Sequence, residues 1–194
     1  FAQLKPTHQR YADVFRALGL KIDLSNPKYP KPRLLSQKAI GLVGEKVNQW
    51  IGIAPFAAHE SKMYPLEMME VVIEALSKNH KILLFGGGKK EIEALEILSK
   101  SHNNVISVAG KLKFNQEIQL ISNLDVMLSM DSGNGHIAAI FGVKTITLWG
   151  ATHPYLGFSP FHQPEENSLV SDRNFYPKLP TSIYGNKKVE GYED

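Results

Sequence analysis

Residues 125–148, DVMLSMDSGNGHIAAIFGVKTITL, decide the fold of this chain. Two short apolar runs, 125–129 and 145–148, predict strands, and the run 135–141 between them predicts a helix. A strand, a helix and a second strand in this order form one unit of a parallel sheet. The turn 131–136, DSGNGH, joins the first strand to the helix and carries an acid, a hydroxyl, glycines and a histidine, so it is also the first candidate for function.

The same alternation is repeated upstream of this unit. It predicts three further strands and three further helices, the strands at 50–54, 81–85 and 105–108, and the helices starting at Pro65 and spanning 91–98 and 115–121. Strands made of continuous apolar runs, alternating with helices, are typical of a parallel sheet that is buried on both faces. The sequence therefore predicts an α/β fold with helices on both faces of the sheet.

The N-terminal region, residues 1–35, is predicted to be a connecting helix followed by a linker. Residues 7–18 predict an amphipathic helix whose apolar face consists of Tyr11, Val14, Phe15 and Leu18. Residues 25–33, SNPKYPKPR, contain three prolines and predict an extended connector.

The α/β domain itself is predicted to span residues 36–160. A weaker helix across 36–47 precedes its first strand, and the alternation of strands and helices stops after Gly150. Residues 161–194 are rich in proline, tyrosine, asparagine and glycine, so they are expected to form a tail that wraps the domain surface.

Length and composition fit one domain. The chain has 194 residues, of which 43% are hydrophobic and 21% charged, as in a globular protein with a single core. It contains no cysteine, which excludes disulfides, thiolate catalysis and zinc sites with cysteine ligands. The sequence begins with Phe1 rather than Met and is expected to be a piece of a larger protein.

Charge and hydropathy argue against a nucleic-acid partner and against a membrane span. The net charge is +3 and the basic residues form no stripe, so we expect no nucleic-acid partner. The basic residues toward the two ends of the chain are more simply interpreted as solvated side chains than as contacts to an anionic surface. They are Lys28, Lys31, Arg33, Lys187 and Lys188. No apolar run approaches the roughly 18 residues of a membrane span, so none is expected.

Three loops follow strands at the edge of the sheet where ligands bind in such folds. The first is PFAAHESKMYP, residues 55–65, with small residues Ala57 and Ala58 ahead of Ser61 and Lys62. A lysine beside a helix start could contact a phosphate. Considered alone, this loop is more simply described as an exposed loop with a solvated lysine.

The second loop is FGGGKKEIE, residues 85–93. Its glycines leave room for a ligand, and Glu91 in the next helix could accept a hydrogen bond from ribose hydroxyls. The spacing matches neither the dinucleotide fingerprint, which needs glycine at position 91, nor a P-loop, which needs glycine at position 83. A plain turn with an acid at the helix start remains the alternative.

The third loop is the turn 131–136. Its backbone amides at a helix start could hold a phosphate or diphosphate. Met130 stands where a nucleophile elbow needs glycine, so Ser132 is not a predicted nucleophile. No second histidine stands at metal-ligand spacing from His136. The alternative is that Asp131 or Ser132 only caps the helix. An anion-binding crevice would explain all three loops together.

These stretches resemble one known family. DSGNGHIAAIFGVKTITLWGATHP (131–154) is similar to a signature of glycosyltransferase family 9, the lipopolysaccharide heptosyltransferases, and IGIAPFAAHESKMYP (51–65) and LLFGGGKKEIEALEIL (83–98) resemble two of its other loops. Order and spacing agree over residues 36–160. The resemblance implies a Rossmann-like domain, the C-terminal, donor-binding half of a GT-B glycosyltransferase, with the helix of residues 7–18 as the connection between the halves.

The resemblance also implies a function. The full-length protein would transfer a heptose, from ADP-heptose, to a lipopolysaccharide core acceptor with inversion, without cofactor or metal. It implies a catalytic base and acceptor contacts in a missing N-terminal domain, and a cytoplasmic location compatible with peripheral association at the inner face of the inner membrane. The donor-binding residues it implies are Lys62, Glu91, Asp131, Ser132, Gly133, Asn134, Gly135 and His136, with Ala57, Ala58, Ser61, Gly87, Gly88 and Lys111 as further candidates.

The sequence departs from the family pattern at two places. Lys144 stands where proline is usual, and Asn134-Gly135 replaces a bulkier pair, so the pocket for the donor sugar is expected to differ in shape. Two other functions stay open at this point. One is a GT-B-like nucleotide-sugar epimerase, and the other is a non-catalytic module that binds a nucleotide or sugar.

Overall fold

The computed structural model describes residues 2–186; Phe1 and residues 187–194, which include the basic pair Lys187 and Lys188, lie outside the described residues. The described part contains one six-stranded sheet. Its strands are β1 (Trp50–Ala54), β2 (Lys81–Leu84), β3 (Val105–Ser107), β4 (Val126–Met130), β5 (Lys144–Trp149) and β6 (Ser168–Val170). Every neighbouring pair is parallel, in the order β3-β2-β1-β4-β5-β6.

Six α-helices surround or precede this sheet in the described residues. They are α1 (Thr7–Ala17), α2 (Gln37–Val43), α3 (Leu66–Ser77), α4 (Lys89–Lys100), α5 (Phe114–Ile121) and α6 (Gly133–Ile140). The predicted strands and helices of residues 50–148 are confirmed, with shifts of one or two residues at their ends. Helix α2 is shorter than predicted, because Ser36 caps its start and Gly44, with a φ of +77°, ends it.

Both faces of the sheet are covered, as the continuous apolar strands predicted. On one face α2, α5 and α6 bury a cluster around Trp50, Phe85 and Met127. On the other face α3 and α4 pack on a cluster around Ile53, Ile82 and Leu84. Adjacent residues of one strand thus contribute to opposite layers, which explains why no polar alternation is seen in these strands.

Strand β6 lies in a stretch where the sequence predicted no regular element. Leu169 and Val170 are about half exposed, at 51% and 46%, and β6 is only three residues long. Backbone pairing with β5 therefore creates this edge strand without a buried apolar run to mark it.

The helix predicted at residues 7–18 is present as α1, but its apolar face is not buried against the domain. The side chains of this face are between 47% and 73% exposed, namely Tyr11, Val14, Phe15 and Leu18. Ala12 is the buried residue of α1. The segment before and at the start of α1 is joined to the domain by backbone hydrogen bonds from Leu4 N to Tyr155 O and from Thr7 N to Gly157 O, both 2.8 Å.

Residues 2–186 lack two features, a membrane-spanning helix and a cluster of metal ligands. No helix there has both the length and the apolar character needed to cross a membrane. In the same residues, no three histidine, aspartate or glutamate side chains lie close enough together to hold a metal ion.

Candidate functional site

The candidate site lies where the connections of β1 and β4 diverge. These neighbouring strands form the centre of the sheet, and the chain continues from them toward opposite edges, a switch point at which open α/β sheets form a crevice. A cleft of about 450 Å³ is found at their carboxyl ends. It is lined by Phe56, Ala57, Ala58, Phe85, Gly86, Gly87, Glu91, Phe114, Ser132, Gly133, Asn134 and Ile137.

One wall of the cleft is the N-terminus of α6. Ser132 precedes the helix in an extended conformation, and its side chain accepts no hydrogen bond from the first turn. The Ser132 hydroxyl is buried and has no hydrogen-bond partner among the described residues. The capping alternative is therefore wrong for Ser132, and the first-turn amides with this hydroxyl can receive an anionic ligand.

Asp131, immediately before this helix, pairs with Lys62 from the loop after β1. Lys62 Nζ lies 2.6 Å from Asp131 Oδ2, and the two side chains are only 13% and 9% exposed. The Thr152 hydroxyl, from the loop after β5, donates to the same oxygen at 3.1 Å. Three loops at the ends of different strands thus meet at one carboxylate oxygen. The pair is close to neutral as a unit, so Asp131 does not present an uncompensated charge next to the helix N-terminus.

His136, in the first turn of α6, is held in its neutral form. Burial lowers the pKa of His136 below the ordinary value of 6.5; nearby Asp131 raises that pKa and Lys62 lowers it, both less than burial. A neutral imidazole can donate one hydrogen bond and accept another. His136 therefore suits recognition of hydroxyl or phosphate groups by hydrogen bonding rather than by charge.

The glycine-rich loop after β2 forms the opposite wall. Glu91 Oε2 accepts a hydrogen bond from Gly87 N at 2.7 Å, across the start of α4. Gly88, the residue before α4, has a φ of +81°, a left-handed conformation that favours glycine. Gly86, Gly87 and Glu91 line the cleft, and the second oxygen of Glu91 remains for a ligand.

Apolar side chains complete the cleft, and sequence reasoning missed them. Phe56 stands just after β1, Phe114 begins α5, and Ile137 lies in α6, whereas the side chain of Phe85 is only 2% exposed and packs in the core. Aromatic and aliphatic walls of this kind suit a flat, planar group such as a nucleobase. Their positions next to strand ends were the available signal, because residues there lie at the ligand-binding edge.

The remaining predicted residues lie in different surroundings. Ala57, Ala58, Gly87, Gly133 and Asn134 line the cleft. The Ser61 hydroxyl donates to the carbonyl oxygen of Gly185, and Gly135 is buried against the Ser129 side chain. Lys111 is not among the lining residues, and neither are Lys62, Gly88, Asp131 and His136; Lys111 Nζ lies 2.6 Å from Glu96 Oε1. Thr152 was not predicted, although it follows a strand end at the same edge.

Comparisons with known proteins place the chain among glycosyltransferases. The model of glycosyltransferase family 9 (heptosyltransferase) matches residues 3–184. Lipooligosaccharide heptosyltransferase 2 of Campylobacter jejuni is 28% identical over 162 residues, which are 81% of this chain and 49% of the relative. The OpsX core heptosyltransferase of Haemophilus influenzae is 30% identical over 125 residues, 63% of this chain and 36% of the relative. The chain spans about half the length of the Campylobacter relative.

Solved structures share the fold. A family 9 glycosyl transferase from Veillonella parvula superposes with a TM-score of 0.70 at 18% identity, over 94% of this chain and 55% of that one. ADP-heptose heptosyltransferase II of E. coli gives a TM-score of 0.59 at 20% identity, over 76% of this chain and 46% of the other. The fold is thus the Rossmann-like half of a GT-B glycosyltransferase, as the resemblance implied.

Proposed function

The chain belongs to glycosyltransferase family 9 (heptosyltransferase), and on that premise we propose that it is the donor-binding half of an enzyme that transfers a heptose from ADP-heptose to a lipopolysaccharide core acceptor. The observation that carries this proposal is the cleft between β1 and β4. Aromatic walls suited to a base and a helix N-terminus suited to a diphosphate meet in it. The E. coli heptosyltransferase WaaC, which has a similar fold, has been solved with ADP.

Each part of the donor has a proposed location. The adenine would lie against Phe56 and Phe114, and the ribose hydroxyls would donate to Glu91. The diphosphate would accept hydrogen bonds from the first-turn amides of α6 and from the unpartnered Ser132 hydroxyl. The Lys62–Asp131 pair and His136 would contact the heptose and the phosphate next to it.

The proposed reaction is an inverting displacement. An acceptor hydroxyl oxygen attacks the anomeric carbon of the heptose while the bond from that carbon to the diphosphate oxygen breaks, and ADP leaves with the electron pair. Negative charge grows on the leaving diphosphate, where fixed amides and the nearby Lys62 ammonium stabilise it. The hydroxyl proton passes to a base that we propose to lie in the half of the enzyme that this chain does not span.

The acceptor site and cellular location are proposed by the same reasoning. The lipopolysaccharide acceptor would bind the other half, facing this cleft, and the enzyme would act in the cytoplasm at the inner face of the inner membrane. Residues 1–35 would be the connection and residues 36–160 the main part of the donor domain, and the predicted tail would add β6 to the sheet of that domain. Membership of the family favours glycosyl transfer over the epimerase and over the non-catalytic module.

Calorimetric titration of the chain with ADP, UDP and GDP tests this proposal. We expect ADP to bind more tightly than the other two, because the base would be recognised in the aromatic part of the cleft. Equal affinities for all three would contradict the adenine assignment, and binding of none would contradict the donor site. Product analysis of the full-length enzyme with ADP-heptose, with and without acceptor, separates transfer from epimerisation.

A further inference from the structure

A short C-terminal segment covers Lys62. Residues 181–186, here called the strap, are joined to two of the three loops that meet at Asp131. Thr181 N donates to Ala151 O at 3.0 Å, next to Thr152, and the Ser61 hydroxyl donates to Gly185 O, next to Lys62. The strap is therefore anchored on both sides of the buried ion pair rather than on the outer surface of the domain.

Gly185 is the point of closest approach. It is buried, and its α-carbon faces the aliphatic stem of Lys62 so closely that a β-carbon there would overlap Lys62 Cγ and would lie 3.4 Å from Thr152 Cγ2. Its φ is +72°, a conformation that favours glycine. The Lys62 stem cannot move away easily, because its Nζ is fixed 2.6 Å from Asp131 Oδ2.

The strap is itself internally ordered. Gly185 N donates to the Ser182 hydroxyl at 3.0 Å, and that hydroxyl donates to Asn186 Oδ1 at 2.9 Å. The Tyr184 ring lies 6.0 Å from the Phe158 ring, centroid to centroid. These contacts hold the strap in one turn, with the side of Gly185 that lacks a side chain against Lys62.

We propose that the strap, through Gly185, is a positioning element of the donor site that fixes the Lys62 ammonium on Asp131. A lysine has four rotatable side-chain bonds, and an unrestrained Lys62 would sample solvent. Confined beneath Gly185, it stays on Asp131 and keeps that carboxylate compensated where a diphosphate must approach. The role of the strap in the donor site rests on the proposed function, whereas the confinement of Lys62 by the strap does not depend on it.

The confinement is tested by the reactivity of the amine. The folded chain is treated briefly with an acetylating reagent, and acetylation of Lys62 is followed by peptide mass spectrometry against the exposed Lys89 and Lys90 as internal references. We expect slow modification of Lys62 in the wild type and a rate about tenfold higher in Gly185→Ala, since a non-glycine residue in the left-handed region and the overlap both favour an open strap. Gly19→Ala is the matched control, because Gly19 also has a positive φ, +86°, with open space around it. An unchanged Lys62 rate in Gly185→Ala would overturn the proposal.

A second variant covers the case in which Gly185→Ala fails to fold. Ser61→Ala removes the side-chain hydrogen bond to Gly185 O without straining the backbone. We expect it to raise Lys62 acetylation about fivefold, the effect of one ordinary hydrogen bond. A wild-type rate in Ser61→Ala would overturn the anchoring by Ser61.

ADP affinity tests the link to the donor site. We expect Gly185→Ala to weaken ADP binding about tenfold, and to have no effect when Lys62 is already replaced by methionine. Tighter binding of ADP by Gly185→Ala would show that the strap obstructs the site, and equal losses in both backgrounds would show a merely structural effect; either result overturns the positioning role. If the wild-type chain binds no nucleotide, the proposed function fails, while the acetylation rates still decide whether the strap confines Lys62.

Discussion

Lys62 Nζ and Asp131 Oδ2 lie 2.6 Å apart, next to Ser132 of the cleft, with both side chains largely buried. The partners come from loops after β1 and β4, the two strands that flank the switch point. The sequence predicted both as donor-binding residues and did not indicate that they contact each other. Because the two side chains form an ion pair, replacing either one leaves the other without its partner of opposite charge.

Replacing Lys62 alone should therefore destabilise the fold more than replacing Lys62 and Asp131 together. Lys62→Met leaves a buried carboxylate without its counter-ion, and we expect it to lower the free energy of unfolding by about 3 kcal/mol. The double variant Lys62→Met/Asp131→Asn has no uncompensated charge and should recover most of that loss. Urea denaturation of the single and double variants measures this.

ADP affinity of the same variants separates two roles of Lys62. If Lys62 acts by neutralising Asp131, the double variant binds ADP about as well as wild type and Lys62→Met binds it at least about tenfold more weakly. If the ammonium instead contacts the phosphates directly, the double variant binds as weakly as Lys62→Met. We expect the second result, because the ion pair uses one of the three N–H donors of the ammonium and leaves the others for a phosphate.

Thr152 should stabilise the pair through its hydroxyl. Thr152 is 2% exposed, and its Oγ1 lies 3.1 Å from Asp131 Oδ2. Thr152→Val keeps the shape but removes the donor, and should cost about 1.5 kcal/mol of unfolding free energy, as expected for a hydrogen bond to a charged group. Thr152→Ser keeps the hydroxyl and should lose clearly less. Equal losses in the two variants would show that packing, not the hydrogen bond, determines the effect.

Alanine substitutions at two glycines of α6, Gly133 and Gly135, should affect stability and ADP binding differently. A β-carbon at Gly135 would overlap the Ser129 hydroxyl and push α6 away from β4, so Gly135→Ala should be destabilising by about 2 kcal/mol. Gly133 has no heavy atom within 4 Å of such a β-carbon, but it lines the cleft. Gly133→Ala should therefore keep the wild-type melting temperature and bind ADP more weakly. Thermal melting and calorimetry on both variants test the distinction.

The sequence could predict the central elements because their signals are local. Trp50–Ala54 is a continuous apolar run buried on both faces, and its predicted bounds are those observed. Strand β6 could not be predicted in this way, since Ser168–Val170 is short and half exposed and exists through its pairing with β5. For α1, the apolar periodicity predicted the helix correctly. Periodicity does not say what covers the apolar face, however, and Leu18 of that face is 73% exposed.

The candidate site could also be predicted from the sequence only in part. The loops were identifiable because chemistry-bearing residues follow strands, and the edge they share is fixed by the parallel topology. The contacts among Lys62, Asp131 and Thr152 join residues far apart in sequence, so no local pattern encodes them. Gly185 gave no signal at all, because its importance depends on what lies against its α-carbon.

The stability of the fold should fall as the pH is lowered through the range where histidines titrate. Burial lowers the pKa values of His136, His8 and His153 below the ordinary 6.5. Between each lowered pKa and 6.5 the unfolded chain binds more protons than the folded one, so stability is fully present above about 6.5 and is lost as the pH falls through the folded-state values.

Replacing His136 isolates its share of this pH dependence. His136→Gln keeps a neutral hydrogen-bonding side chain and should reduce the slope of unfolding free energy between pH 7.5 and 5 by up to ~1.4 kcal/mol per pH unit, the limit for one proton. The difference between wild type and variant cancels the opposite contribution of Glu117, whose pKa is raised by burial. The measurement is urea denaturation at a series of pH values. A variant with the wild-type slope would mean that His136 titrates alike in both states, and that its imidazole is not held neutral by the fold.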